Sequence, residues 1–171
     1  MKLSILPALL LLAGPAVAQM TPPPPTEAEL RASGAESPRP FTEANVIVSH
    51  STESAEEAYK KALATLLAAG YSVDRNDKDA FFISTTAKPL QKGVYLKLLV
   101  VATPEATGSA VSFRGTFTWL SAITTMAKVQ DRVLPVEYRG TGNNPVARAW
   151  QALQAAADAF GGQQLAYKRI P

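Results

Sequence analysis

From residue 44 onward the apolar positions alternate between two periods, about 2 residues in some stretches and about 3.6 in others. "ANVIVSH" (44–50) is short and rich in β-branched side chains, which predicts a first strand. The next stretch changes period. Ala55, Ala58, Tyr59, Ala62, Leu63, Leu66 and Leu67 recur on one face of a helix. Ser54 with Glu57 three residues on forms a capping box, Thr52 being the other candidate cap, and Gly70 stands where a left-handed C-terminal residue is wanted. On the outer side, Glu56–Lys60 and Glu57–Lys61 have the spacing of ion pairs.

Period two then returns. "YSVDR", "AFFISTTA", "GVYLKLLVVA" (93–102) and "SAVSFRGTFTWL" (109–120) read as strands, the last two joined by "TPEATG". In the last of them Val111, Phe113, Phe117 and Trp119 alternate with Ser112, Arg114, Thr116 and Thr118, which predicts a sheet covered on one face. Gly115 interrupts the apolar side, as expected of a bulge or a position beneath a helix. Residues 121–143 carry no clear period, and "RVLPVEYRG" within them fits a short strand kept at an edge by Pro135. A second helix follows, with Asn144 as N-cap and Pro145 at its first position. Its stripe is Val146, Ala149, Trp150, Leu153, Ala156, Ala157 and Phe160, and Gly161-Gly162 end it. "QLAYKRI" (164–170) reads as a last edge strand.

This order, strand–helix–three strands–helix, predicts an α+β fold. Its expected form is a mostly antiparallel sheet of four to five strands with two helices on one face. The element order resembles that of helix-grip domains, including small modules of Gram-negative cell-envelope proteins; the resemblance concerns architecture and implies no activity.

The N-terminus changes the picture. "MKLSILPALLLLAGPAVAQ" has a cationic Lys2, an apolar core broken by Pro7, Gly14 and Pro15, and a small-residue site at Ala16-Val17-Ala18. It predicts a secretory signal peptide over residues 1–18, cleaved after Ala18, and a secreted or periplasmic mature chain with no stable membrane insertion. Residues 19–43, including Pro22 to Pro25, are rich in Pro, Ala, Ser and Glu, and read as a disordered linker before a single domain at 44–171. The chain holds no cysteine, so burial alone must hold the domain, and 47% hydrophobic residues make that feasible. A net charge of +3, falling to +2 when Lys2 leaves, is too mild to imply nucleic acid.

Candidate chemistry is sparse. Asp74, Asn76 and Asp79 offer oxygen ligands, but Lys78 falls on a ligand position and no distal Glu or Gly follows, so the cluster reads as a turn rather than a metal site. His50, the only histidine, would be the base of any hydrolase and would need distant carboxylates or serines. "YRGTGNN" lacks the lysine of a phosphate loop and reads as a helix cap. No cofactor or metal is expected. The sheet face away from the helices is more distinctive. Ser84, Thr86, Lys88, Tyr95, Lys97, Leu99, Val101, Arg114 and Thr116 are expected to share it, mixing cations and hydroxyls with apolar groups. We read Lys88, Tyr95, Lys97, Arg114 and Thr116 as a binding surface for an envelope protein or polysaccharide, unless residues 121–143 cover it. Pairing of subunits through an edge strand, "QLAYKRI" or "ANVIVSH", is the remaining expectation, leaving the oligomeric state open.

Overall fold

The computed structural model describes residues 24–91, 93–119, 132–162 and 164–171. The signal peptide and residues 19–23 of the expected linker therefore lie outside the described residues. The elements run α1 (Glu27–Ser33), β1 (Val46–Ser51), α2 (Ala55–Ala68), β2 (Val73–Asp77), β3 (Phe82–Thr85) and β4 (Lys88–Gln91). Then follow β5 (Val94–Glu105), β6 (Gly108–Trp119), β7 (Arg132–Pro135), α3 (Pro145–Phe160) and β8 (Gln164–Lys168). The class is α+β, with eight strands in one antiparallel sheet among the described residues instead of four to five, and three helices instead of two.

The strands lie in the order β2-β3-β5-β6-β1-β8, with β4 also pairing β5 and β7 also pairing β6. β5 and β6 are the spine, in unbroken register from Val94↔Trp119 to Glu105↔Gly108. The hairpin is tighter than "TPEATG" suggested: its strands run through Thr103-Pro104-Glu105 and leave only Ala106-Thr107 to turn. Gly108 makes this possible. Its φ is +118°, and a Cβ there would lie 2.0 Å from the Ser51 carbonyl oxygen. β1 sits between β6 and β8, so "ANVIVSH" offers no edge for a second subunit.

Both long helices start as their sequences direct. Ser54 Oγ accepts from the Glu57 amide, and the Glu57 carboxylate accepts from the Ser54 amide. That duty removes Glu57 from the expected pair with Lys61, which instead reaches Glu53 at 3.2 Å. Lys60 pairs with Glu56 as spaced. Asn144 Oδ1 accepts from the Ala147 amide to open α3, and Gly161 closes it at φ +72°. Side by side, α2 and α3 cover one face of β5, β6 and β1. The core contains Ile47, Leu66, Leu96, Leu98, Phe113, Phe117, Leu153 and Phe160, all at most 1% exposed. Trp119 does not join them: the register sets it beside Val94 on the helix side, but at the sheet's end it is 47% exposed.

Residues 24–43 are not a disordered linker. Thr26 and Glu29 form a second capping box, and α1 turns over at Gly34 in the left-handed region. Leu30 and Phe41, two large apolar side chains in a polar stretch, are buried in the same core as the helices. Between them Ser37 makes an antiparallel bridge to Tyr167 on β8. Two anchors and one bridge offset the ordering entropy that composition alone said the segment could not meet. Among the described residues, no helix is long and apolar enough to cross a membrane.

Candidate functional site

Cross-strand register decides which side chains share the face opposite the helices. Tyr95↔Thr118, Lys97↔Thr116, Leu99↔Arg114, Val101↔Ser112 and Thr103↔Ala110 are directly opposed pairs, and all point away from the core. Four of the five expected binding residues, Tyr95, Lys97, Arg114 and Thr116, therefore lie together. Arg114 and Thr116 are exposed, whereas Tyr95 and Lys97 are half-buried. Lys97 is already engaged, donating to Asp74 Oδ2 at 2.9 Å from the neighbouring end of β2.

Lys88 is the fifth, and it is on the other side. It belongs to β4, a separate strand, and pairs Leu96, a core residue. Its ammonium lies 4.4 Å from the centre of the Tyr71 ring and donates to the Ala69 carbonyl at the end of α2. Continuing the alternation of β3 through to residue 88 fails because that strand ends at Thr85. Thr86, outside it, donates its amide to the Ser72 carbonyl, whereas Ser84, within β3, opposes Leu99 and so shares the open face, although it is buried there.

The face is not uniform. Over β1, Val46 and Val48 are buried in a small apolar cluster with Ala166, Ala110 and Ile170. Over β5 and β6 it opens into a groove of about 300 Å³ lined by Leu99, Val101, Thr103, Ser112, Arg114 and Lys168. Lys168 was not anticipated. The period of "QLAYK" sets it with Ala166 and Gln164, but only the pairing of β8 with β1 brings it across to Arg114's groove. The groove thus combines a guanidinium, an ammonium and two hydroxyls with two apolar side chains. Such a set can hold a carboxylate against its cations while apolar atoms rest on Leu99 and Val101.

Residues 132–143 do not lie over this groove. β7 extends the sheet beside β6, with Thr116↔Pro135 and Trp119↔Arg132 paired, and Pro135 ends it. Val136 then enters the helix-side core, and the Tyr138 ring packs against Trp150 at 5.5 Å. Residues 121–131, the rest of the expected cover, lie outside the described residues.

His50 shares the open face, at its far corner. Its Nε2 is 2.9 Å from Glu36 Oε2 and its Nδ1 is 3.1 Å from Glu105 Oε2. The hydrogen bond to Glu36 raises its pKa above 6.5, aided by Glu105 and opposed by partial burial. The adjacent serines do not share its surroundings. Ser49 is paired with Val111 and Leu165 on the helix side, where a Cβ on Gly162 would fall 1.7 Å from its Oγ. Ser51 Oγ accepts from the Glu53 amide.

Of the candidate oxygen ligands in the polar cluster read as a turn, Asp74 and Asn76 lie within β2, and only Asp79 falls in the turn that follows it. Asp77 Oδ1 accepts from the amides of Asp79 and Ala80, and Phe81 takes a φ of +47° to re-enter the sheet. Among the described residues no group of three or more His, Cys, Asp or Glu is placed to hold a metal ion. The sequence matches no family model and no curated protein.

Proposed function

We propose that this chain is a secreted or periplasmic binding module of the cell envelope that takes an acidic, partly apolar segment of a partner protein in its sheet groove. One observation carries the reading: Arg114 and Lys168 border a groove whose other lining residues are Leu99, Val101, Thr103 and Ser112. Two cations beside apolar atoms suit a peptide bearing carboxylates next to aliphatic side chains. A neutral polysaccharide would seek stacked aromatic rings, and among the described residues no ring lines this groove. The signal-like N-terminus supports an envelope location. The element order resembling helix-grip domains is compatible with it but adds no activity.

The hydrolase alternative has little to support it. A general base needs a free nitrogen aimed at a nucleophile, whereas both ring nitrogens of His50 face carboxylates and Ser49 points through the sheet. Binding of fluorescent peptides of mixed Asp, Glu, Leu and Val content to the full chain tests the proposal. Retention is expected for the native protein and loss for Arg114→Glu with Lys168→Glu. Equal retention by both proteins would remove the groove from the account. Capture of neutral glycans in place of peptides would overturn the partner class.

A further inference from the structure

The segment before the first sheet strand is held by two kinds of contact. Leu30 and Phe41 bury its ends in the core, where no charge is involved. Its middle lies along β8, where the Ser37 amide donates to the Tyr167 carbonyl at 2.9 Å and the Tyr167 amide donates back at 2.8 Å. Next to that bridge Glu36 faces two basic groups at once, His50 Nε2 at 2.9 Å and Lys168 Nζ at 3.4 Å. Across the imidazole, Glu105 from the end of β5 completes the set at 3.1 Å.

A neutral imidazole has one N–H and one lone pair. Between two carboxylates it can donate to only one, and its lone pair then opposes the other's oxygen. An imidazolium donates to both. The arrangement is therefore complementary to the protonated ring alone. From β6 the opposing residue is Ala110 and from β8 it is Gln164, so neither cross-strand neighbour adds a charge. The charged groups that face the ring among the described residues are Glu36 and Glu105, with Lys168 acting through Glu36.

We propose that His50, Glu36 and Glu105 form a proton-operated clasp that fastens residues 34–39 against the edge of β8 and loosens when the imidazole is deprotonated. Leu30 and Phe41 keep the rest of the segment in place, so the movement is confined to the stretch between them. Gly34, with φ +65°, begins that stretch. Loosening also frees Lys168 from Glu36, which changes the charge available in the neighbouring groove.

Two measurements on the full chain test this independently of any partner. In the first, the His50 ring proton is followed by NMR through a pH titration. The native midpoint is expected above 6.5 and should fall in both Glu36→Gln and Glu105→Gln. In the second, hydrogen-exchange protection factors of the Ser37 and Tyr167 amides are compared with that of Leu98 in the core. The ratio is expected to drop about two-fold as pH rises through the His50 midpoint, and to stay flat in Glu36→Gln. A ratio that ignores pH in the native chain overturns the clasp, as does an identical profile in Glu36→Gln. Because the native titration needs no substitution, a variant that failed to fold would not obscure the result.

Discussion

Gly115 lies directly beneath Val136. A Cβ on this glycine would stand 2.9 Å from Val136 Cγ2 and 3.1 Å from Leu96 Cδ1, while the Val136 amide donates to the Gly115 carbonyl at 2.9 Å. The break in the apolar alternation of β6 is therefore neither a bulge nor a helix seat, since the register through Leu98↔Gly115 is unbroken. It is the space left for the chain as it leaves β7 and turns into the core.

Gly115→Ala should accordingly lose stability, although alanine usually favours folding over glycine where the backbone allows it. Overpacking of this kind costs about 1–3 kcal/mol. Urea melts check it, and the paired Gly115→Ala/Val136→Ala variant should recover part of the loss.

Lys88 and Arg114 divide structure from binding. Lys88→Ala removes a contact with the Tyr71 ring and a bond to the Ala69 carbonyl, and should cost about 1 kcal/mol while leaving peptide retention unchanged. Arg114→Ala should do the reverse, since Arg114 is exposed and lines the groove. Thermal melts run beside binding titrations distinguish them. A loss of binding in Lys88→Ala alone would contradict the assignment of faces.

Leu30 makes the early segment part of the folded unit. At 5% exposure it belongs to the main core, and Leu30→Ala should destabilise the whole domain by about 2 kcal/mol, the lower end of such truncations. Cooperative unfolding with a shifted midpoint is the expected observation. An unchanged midpoint would return residues 24–43 to the status of a tether.

His50 sets a pH dependence with a definite sign. Its folded pKa is raised above 6.5, mainly by Glu36, so the stabilisation is complete below that value and disappears as pH rises through the raised one. The three side chains are each more than a third exposed or nearly so, which limits the contribution to a few tenths of a kcal/mol. Denaturant midpoints measured from about pH 6 to about pH 8 should fall slightly in the native chain and lose that slope in His50→Asn.

Local chemistry made much of this fold legible. The capping box at Ser54, the Asn144-Pro145 start and the Gly70 and Gly161 ends depend on neighbours within four residues, so α2 and α3 stand where their sequences direct. The alternation in β5 and β6 likewise named the two faces of the sheet's spine, and set Tyr95, Lys97, Arg114 and Thr116 on one of them. What failed were inferences that carried a local pattern across a break. Lys88 was assigned by counting on from β3, although the strand had ended, and Trp119 by counting past the core's edge.

The sequence by itself determined the class, both long helices and the alternation of the central hairpin, because these rest on short-range hydrogen bonding and periodic burial. Only the tertiary structure decided that Lys168 reaches the groove, that Leu30 and Phe41 draw an otherwise polar segment into the core, and that Glu36 and Glu105 meet at His50. Each of those meetings joins residues far apart in the chain, and the free energy that fixes them comes from strand pairing and shared burial, which no local window of residues encodes.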